Sequence, residues 1–269
     1  MPSSSASHDI DSAAGGTLVI IPTYNEIDNL RSIVERVLTA VPLAHVLLID
    51  DGSPDGTGAE ADDLARRDDR VFTMHRVGKL GLGSAYLRGF RWGLDRNYAL
   101  IVEIDADGSH PPESLPKMIR LVTEPDATGA PADLVIGSRW TPGGTVVNWP
   151  KHRELLSRGG NTYARLLLGI TVRDATGGFR VFRSDALRAL PLDEVNSKGY
   201  FFQVDMTVRI LDAGFRIIEV PIEFREREAG TSKMSHMIVV EAMLKVTLWG
   251  AKRRLTQLGR VLGVGKHGN

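Results

Sequence analysis

Several kinds of protein are excluded by what this sequence lacks. It has no cysteine, which rules out a disulfide scaffold and thiolate metal sites. It has no run of 18 consecutive apolar residues, so it predicts no transmembrane helix. Its 33 basic residues are matched by 33 acidic ones, and no overall positive charge favours a nucleic-acid partner. The hydrophobic content of 42% is that of an ordinary globular protein with a sizeable core.

The composition divides the chain into three parts. Residues 1–16 are rich in Ser, Ala and Gly and lack the basic start and apolar centre of a signal peptide, so we expect a disordered tail. Residues 17–235 carry regular apolar patterns and are expected to form one domain. Residues 236–269 have apolar side chains at helical spacing followed by a basic end, which predicts an amphipathic helical segment.

Within residues 17–235, short apolar runs alternate with amphipathic stretches. This alternation predicts an α/β fold with a Rossmann-like, mostly parallel central sheet and helices on both faces. The predicted strands cover residues 17–21, 45–49, 71–75, 100–104, 133–137, 181–182 and 215–224. The predicted helices cover residues 29–41, 58–67, 84–96, 112–122, 154–168 and 203–213, with Asn29 as the expected cap of the first.

An acidic pair follows the fourth predicted strand. Asp105 and Asp107 come where the apolar run ends, and Gly108 then breaks the strand. In an α/β sheet the carboxyl ends of the strands are where ligands bind. Two carboxylates this close repel each other unless a cation lies between them, and Mg²⁺ or Mn²⁺ prefers such oxygen ligands. A solvated acidic turn is the alternative reading of the pair taken alone.

Two more polar clusters follow the first and second predicted strands, at 23–26 and 50–57. They are expected at the same edge of the sheet as the acidic pair. The glycine-rich stretch 78–84 is not a phosphate-binding P-loop, because Lys79 comes too early. Nor is it a dinucleotide fingerprint, because Tyr86 stands where the third glycine is needed. We expect this stretch to be a flexible entry to the next helix.

Taken in order, the motifs resemble the nucleotide-sugar glycosyltransferases of family 2, which have the GT-A fold. The series looks most like the polyprenyl-phosphate (dolichyl-phosphate) mannosyltransferases, also called polyprenol monophosphomannose synthases, and covers residues 17 to about 235. It consists of Pro22-Thr-Tyr-Asn-Glu26, Asp50-Asp-Gly-Ser-Pro-Asp-Gly-Thr57, Asp105-Ala-Asp107, Gly137-Ser-Arg139, Trp149, Ser157-Arg-Gly159, Asp174-x-Thr-x-Gly-Phe-Arg180, Ser197-Lys-Gly-Tyr200 and Arg227-x-x-Gly-x-Ser-Lys233.

The resemblance implies an inverting transfer of mannose from GDP-mannose to a polyprenyl phosphate, with residues 17–235 as the catalytic domain. It implies a divalent metal, Mg²⁺ or Mn²⁺, held by Asp105 and Asp107. The donor-binding residues that it implies are Pro22, Tyr24, Glu26, Ile49, Asp51, Asp105, Ala106, Asp107, Arg139, Arg227 and Lys233. Some members of the family have Gln as a further metal ligand where this chain has Ser109, a shorter and weaker ligand.

The implied acceptor is a phosphate monoester, already an anion near neutral pH, so the reaction needs no strong general base. It needs cations that place the phosphate in line with the anomeric carbon. Arg139 and Arg153 are our candidates for that role, and together with Asp107 they are the expected catalytic residues.

The C-terminal segment is expected to bring the protein to its lipid substrate. Five basic residues follow position 251 with no acidic one among them: Lys252, Arg253, Arg254, Arg260 and Lys266. We therefore expect peripheral association with the cytosolic face of a membrane, with a membrane-embedded helper protein as a further partner in this family. The competing interpretation is a helix that packs on the domain and ends in a solvated basic stretch.

Two other functions fit parts of the pattern. A transferase of glucose from UDP-glucose to the same lipid class would use a similar acidic pair, although such relatives usually carry transmembrane helices. A catalytically silent nucleotide-sugar-binding subunit belongs to a different class of function. The intact pair of Asp105 and Asp107 argues against it.

Overall fold

The structure is a computed structural model that describes residues 16–197, 199–226, 243–244 and 246–251. The strands in these residues are β1 (Thr17–Thr23), β2 (His45–Asp50), β3 (Val71–His75), β4 (Leu100–Glu103), β5 (Leu134–Ser138), β6 (Thr145–Val147), β7 (Arg180–Arg183), β8 (Ile217–Pro221) and β9 (Glu223–Arg225). The helices are α1 (Ile27–Ala40), α2 (Thr57–Arg67), α3 (Leu82–Asp95), α4 (Leu115–Thr123), α5 (Lys151–Leu168), α6 (Ser184–Arg188) and α7 (Tyr200–Asp212). Residues 243–244 and 246–251 are also helical.

The central sheet has seven strands in the order β3-β2-β1-β4-β7-β5-β8. The strands pair in parallel except β7, which runs antiparallel to both β4 and β5. This register places Arg180 of β7 directly opposite Glu103 of β4. A second, two-stranded sheet pairs β6 with β9 in parallel. The predicted mostly parallel sheet is confirmed.

Helices cover both faces of the sheet, because side chains of the buried strands alternate between two apolar cores. In β1, Leu18 and Ile20 face the core formed with α3, α5, α6 and α7. Val19 and Ile21 face the other core, formed with α1, α2 and α4. The predicted α/β arrangement with helices on both faces is therefore confirmed.

Several predicted element boundaries were wrong. Helix α1 begins at Ile27 with Glu26 at the cap position, and Asn29, the expected cap, lies in the first turn. Its side-chain amide donates to Glu26 Oε2 at 2.9 Å. Helix α5 begins at Lys151, directly after Pro150, rather than at residue 154. Proline suits the position before a first turn because it has no N–H to leave unpaired.

The predicted strand 215–224 is two strands in different sheets. β8 ends at Pro221 and pairs with β5, whereas β9 pairs with β6, which lies in a stretch where the sequence predicted neither strand nor helix. Between them, Ile222 N donates to the Ser138 carbonyl at 3.1 Å. At Ile222 the chain therefore leaves the central sheet and enters the two-stranded sheet.

The two ends of the chain fall largely outside the described residues, including positions 1–15 of the predicted tail and the basic positions after 251. Gly16, assigned to the tail, belongs to the fold instead: its carbonyl accepts from Ala99 N and Leu100 N. Within the part of the chain that is described, no helix is both long and apolar enough to cross a bilayer.

Helix α3 lies close to the sheet because glycines face it. A Cβ added at Gly89 would come within 2.7 Å of Ile20 Cδ1, and one at Gly93 within 2.7 Å of Leu18 Cδ2. Both partner side chains are fully buried and have no room to move. By contrast, a Cβ at Gly159, in the middle of α5, would meet no atom within 4 Å.

Gly89→Ala should therefore lower the free energy of unfolding by about 1–3 kcal/mol, because the added methyl overpacks the core against β1. The matched control is Gly159→Ala, which should raise it by about 0.5–1 kcal/mol through helix propensity alone. Urea unfolding of both variants measures the difference. Equal effects of the two substitutions would show that the close approach of α3 does not depend on glycine.

Candidate active site

A cleft of about 560 Å³ opens at the carboxyl ends of β1, β2 and β4, between α3, α5 and α7. Its size is typical of a small-molecule site. Most of the residues that the sequence predicted for donor, metal or acceptor line it together: Pro22, Tyr24, Glu26, Asp51, Asp105, Ala106, Asp107, Arg139 and Arg153. The structure thus brings together residues from five separate stretches of the chain.

The acidic pair lies on a tight turn directly after β4. Gly108 adopts a left-handed backbone conformation, with φ of 73°, and Ser109 N donates to Asp107 Oδ1 at 3.1 Å. The Tyr86 hydroxyl donates to Asp105 Oδ1 at 3.4 Å. The Asp105 side chain stays 33% exposed, so its carboxylate remains open to the cleft.

His110 supports this turn from beneath. Its Nδ1 accepts a hydrogen bond from Asp105 N at 3.3 Å, and its ring stacks on Phe179 with centroids 5.4 Å apart. Burial lowers the pKa of His110 to about 4, so the ring is neutral near neutral pH and Nδ1 is able to accept. His110 therefore fixes the backbone from which Asp105 projects.

The residues around the pair fit a divalent cation. Asp105 and Asp107 supply hard oxygen ligands, and the buried Ser109 Oγ has no hydrogen-bond partner among the described residues. A Cβ at Gly178 would lie 3.8 Å from Asp105 Oδ2, so the glycine leaves the space beside that carboxylate open. The described residues hold no group of three or more Asp, Glu, His or Cys side chains placed to bind a metal ion by themselves. These residues therefore suit an ion whose other ligands would be substrate phosphates and water.

One end of the cleft is formed by the segments that follow β1 and β2. Asp51, almost fully buried, pairs with Arg76 Nη1 at 2.9 Å. Burial raises the pKa of Asp51, and Arg76 and the nearby backbone N–H groups of Leu80 and Gly81, which favour its charged form, oppose the rise. Lys79 Nζ lies 4.5 Å from the centre of the Tyr24 ring. This end therefore presents an aromatic face, a cation and carboxylates.

Much of the 50–57 stretch serves the fold rather than the cleft. Asp50 accepts from Gly52 N and Ser53 N, both at 3.1 Å, which shapes the turn. Ser53 Oγ and Thr57 Oγ1 accept from the backbone N–H groups of Asn25 and Glu26, at 3.0 and 2.9 Å. These contacts tie the two loops together and fix where Tyr24 and Asp51 sit.

Arg139 is committed to a buried ion pair. Its Nε and Nη2 donate to the two carboxylate oxygens of Asp174 at 2.8 and 2.7 Å, and Nη2 also donates to Thr176 Oγ1 at 3.0 Å. Asp174 is fully buried, and Arg139 holds its pKa below the usual value against the effect of burial. Removing Arg139 would leave a buried carboxylate unpaired, which typically costs about 3–5 kcal/mol.

Arg153 lies at the edge of the cleft on the first turn of α5. It pairs with Glu226 Oε1, and its guanidinium lies 4.2 Å from the centre of the Trp149 ring. Its side chain is 18% exposed, compared with 9% for Arg139. Arg153 is therefore the more accessible of the two predicted acceptor-binding arginines.

The other end of the cleft is apolar and was not predicted. We call it the apolar arm, and it is formed by α3, α5, α7 and the helical residues 243–244 and 246–251. Its members are Leu82, Ala85, Leu156, Tyr163, Ala164, Phe201, Val204, Met243 and Val246. Of these, Leu82, Leu156 and Met243 are 39–40% exposed, so the arm opens to the surface.

A buried polar group lies under the floor of the cleft. Glu103 is fully buried, with Oε2 accepting from Gln203 Nε2 at 2.9 Å and lying 4.0 Å from Arg180 Nε. Burial raises the pKa of Glu103 to about 8, and Arg180 and Gln203 oppose that rise. Arg180 donates to the carbonyls of Gly177 and Ala175 at 2.7 and 2.8 Å. Arg180 thus links Glu103 of β4 to the loop that carries Asp174.

Among the predicted site residues that the structure describes, Ile49 does not line the cleft with its side chain. The Ile49 side chain is fully buried in the apolar core, so only its backbone faces the strand end. Arg227 and Lys233 lie outside the described residues, and their place in the site stays a prediction.

Comparison with known proteins gives this geometry a family. The model for "Glycosyl transferase family 2" matches residues 18–190, which span the acidic pair, Arg139 and Asp174. The chain belongs to glycosyl transferase family 2. This match confirms the family resemblance that the sequence motifs indicated. The protein is therefore an enzyme, a glycosyl transferase.

Two curated relatives match most of this glycosyl transferase. It is 56% identical over 240 residues to a polyprenol monophosphomannose synthase of Mycolicibacterium smegmatis, covering 89% of this chain and 88% of that protein. It is 53% identical to an undecaprenyl-phosphate mannosyltransferase of Micrococcus luteus, covering 92% of this chain and 99% of the relative.

Solved structures confirm the GT-A fold. Glucosyl-3-phosphoglycerate synthase from Mycobacterium tuberculosis, in complex with phosphoglyceric acid, gives a TM-score of 0.61 over 88% of this chain and 82% of its own. The same enzyme in complex with Mn²⁺, UDP and glucosyl-3-phosphoglycerate also gives 0.61, over 90% and 81%. At 19% and 20% identity, these likenesses concern the fold alone.

Sequence reasoning gave no site role to His110, Lys79 and Gln203, which line the cleft, or to Asp174, which holds Arg139. His110 stands in the acidic stretch itself, and Asp174 opens one of the motifs, so both could have been found there. Lys79 was weighed only as a P-loop lysine. Gln203 was read as the start of a helix, and nothing in the local pattern indicates that its side chain meets the strand carrying the acidic pair.

Asp105→Asn or Asp107→Asn should lower transfer by at least about 100-fold, because either change removes a charged oxygen ligand at the strand end. Each should also weaken Mn²⁺ binding, measured by calorimetry with GDP present, while circular dichroism shows an unchanged fold.

Asp95→Asn is the matched control, since this exposed carboxylate at the end of α3 lies away from the cleft. Wild-type Mn²⁺ affinity in both strand-end variants would refute a metal role for the pair.

Proposed function

We propose that this enzyme transfers mannose from GDP-mannose to a polyprenyl phosphate with inversion, releasing GDP and forming polyprenyl phosphate mannose. The observation that carries the proposal is the identity of 56% and 53%, over nearly the whole chain, with two proteins named for polyprenol and undecaprenyl-phosphate mannosylation. The glucosyltransferase alternative has no comparable support.

The two-ended cleft supports the same assignment. One end carries carboxylates, a cation and an aromatic face, which suit a nucleoside diphosphate bound with a metal. The other end is the apolar arm, which suits a hydrocarbon chain. A lipid phosphate lying in the arm would meet a sugar nucleotide near Asp105 and Asp107, where the polar and apolar ends join.

At the donor end, each residue has a chemical task in the proposal. Tyr24 packs on the base, and Glu26 and Asp51 accept hydrogen bonds from guanine N–H groups or ribose hydroxyls. Asp105 and Asp107 would hold a divalent ion, which when bound offsets the charge that develops on the leaving diphosphate. A neighbour of the same fold was solved with Mn²⁺ and UDP, and for this chain Mg²⁺ and Mn²⁺ are both candidates.

At the acceptor end, a phosphate oxygen of the lipid attacks the anomeric carbon opposite the diphosphate. The new carbon–oxygen bond forms as the bond to the diphosphate breaks, and no proton has to be removed from the attacking phosphate anion. Arg153 is placed at the rim to bind that anion. Arg139, held by Asp174, contributes positive potential from the wall. Arg227 and Lys233 are proposed as additional donors to the diphosphate.

An assay of the full chain with polyprenyl phosphate and Mg²⁺ or Mn²⁺ tests the donor and the acceptor together. GDP-mannose should be turned over at least about 100-fold faster than UDP-glucose, measured as radiolabelled sugar extracted into organic solvent. Asp107→Asn serves as the inactive control. A preference for UDP-glucose would overturn the donor assignment, and no lipid product from either donor would overturn the acceptor.

We also propose that the protein works at the cytosolic face of a membrane, where a membrane-embedded helper is an expected partner. The support is four exposed leucines on two helices that also help to form the apolar arm. Leu155 and Leu166 on α5, and Leu244 and Leu248 on the last described helix, are 59–73% exposed. Large apolar side chains exposed on the surface of such helices are suited to a membrane interface.

The described part of the last helix has an inward and an outward face. Val246 is buried and Trp249 packs on Phe201 with ring centroids 5.6 Å apart, so the inward face packs on the domain. Leu244 and Leu248 lie on the outward face.

Leu155→Ser combined with Leu166→Ser should reduce co-sedimentation with anionic phospholipid vesicles by about tenfold or more, because two apolar side chains no longer enter the interface. Leu43→Ser is the matched control. Leu43 is 90% exposed but precedes β2, at the opposite edge of the sheet from the cleft. Equal vesicle binding by both proteins would show that the α5 face does not meet the membrane.

A further inference from the structure

The buried amide of Gln203 has a free end that the mechanism above does not use. Gln203 is 3% exposed and lines the cleft from α7. Its Nε2 donates to Glu103 Oε2 at 2.9 Å, whereas its Oε1 is buried without a hydrogen-bond partner among the described residues. Buried polar atoms in folded proteins are nearly always paired, so an orphaned acceptor on a cleft wall indicates a missing donor.

Glu103 decides which end of the amide is free. In the structure the amide N–H points to Glu103 Oε2, which accepts it, and the amide oxygen faces away from the carboxyl group. Glu103 is itself held by its place on β4, opposite Arg180 in the neighbouring strand. The amide is therefore oriented by the sheet, with its oxygen as the remaining hydrogen-bonding group.

The location of Gln203 places this oxygen between the two ends of the cleft. Glu103 and Asp105 are two residues apart on an extended chain, a separation of about 7 Å, which is close to the width of a hexose. The residue before Gln203 on α7 is Phe202. It stacks on Tyr86, whose hydroxyl donates to Asp105. Val204, on the other side, belongs to the apolar arm.

Among the groups of the proposed substrates, a hydroxyl of the transferred sugar is the donor that matches a free acceptor at this point. Guanine and ribose also carry donors, but the proposal places them at Tyr24, Glu26 and Asp51. The lipid phosphate and the diphosphate are themselves acceptors, and the hydrocarbon chain has no polar hydrogen. A sugar hydroxyl is a donor, and the sugar lies between the diphosphate and the lipid phosphate during transfer.

We propose that Gln203 binds a hydroxyl of the transferred sugar through Oε1, and that Glu103 is the positioning residue that orients its amide. This inference rests on the proposed function, because it takes the ligand to be a sugar nucleotide whose diphosphate lies at Asp105 and Asp107. It makes Gln203 a determinant of affinity for the sugar rather than for the nucleotide.

The test compares binding of GDP-mannose with binding of GDP, by calorimetry on the full chain with Mn²⁺ and without lipid. Gln203→Leu should weaken GDP-mannose binding about tenfold, the effect of one lost buried hydrogen bond, and leave GDP affinity within about twofold. Glu103→Gln keeps an oxygen that accepts from Gln203 and should retain wild-type discrimination.

Thr207→Val is the matched control on the same helix. Thr207 is fully buried, donates to the Gln203 carbonyl at 2.8 Å and does not line the cleft. It should lower thermal stability without changing the ratio of the two affinities, which separates a structural effect from a contact with the sugar.

Equal losses for GDP and GDP-mannose in Gln203→Leu, or no loss for either, would overturn the inference. If the wild-type enzyme uses a different sugar nucleotide, the donor assignment fails by itself. The same comparison, made with that donor and its free nucleotide, then decides the role of Gln203.

Discussion

Repulsion between two carboxylates at the end of β4 is the constraint around which the cleft is arranged. Asp105 and Asp107 sit two residues apart on a turn that Gly108 and His110 hold in place. Folding this pair into a cleft is unfavourable unless positive charge is near. Gly178 leaves space for a cation beside Asp105. In the proposed reaction, phosphate oxygens of the substrate would bind the same cation.

The antiparallel strand β7 joins this acidic edge to the other half of the molecule. It brings Arg180 opposite Glu103, and the loop before it supplies Asp174 to Arg139. One short strand and its loop therefore connect the strand that bears the acidic pair with the arginine on the other wall. A change in this connection is expected to affect stability and the cleft together, because the ion pairs within it are buried.

The division of the cleft into a polar and an apolar end follows from which elements form it. Strand ends and loops supply the polar end, since parallel strands finish at one edge and leave polar side chains there. Helices α5 and α7 supply the apolar arm with the same faces that cover the sheet. A reaction between a charged nucleotide and a lipid phosphate needs both ends within one site.

How much the sequence could predict depended on the range of the interactions. Apolar periodicity placed the strands and helices, and strand-end carboxylates placed Asp51, Asp105 and Asp107, because these signals are local. The split at Ile222 and the pairing of β6 with β9 could not be predicted, since strand partners are chosen by residues far apart in sequence.

Three side chains have surroundings that the sequence motifs did not indicate, one for a local reason and two because of distant partners. Ile49 was carried over from the family motif as a donor contact, yet its side chain points into the core because of strand alternation. Arg139 was expected to bind phosphate directly, but its partner Asp174 lies 35 positions away. Gln203 meets Glu103 across 100 positions, a contact that only the folded sheet creates.

The measurement that tests the account most directly is a crystal structure of the protein with GDP and Mn²⁺, located by anomalous scattering. The account predicts a single manganese peak in the cleft, coordinated by oxygens of Asp105 and Asp107 and of the diphosphate, with the base near Tyr24. Diphosphate bound away from the acidic pair, or manganese bound elsewhere with the pair solvated, would contradict it.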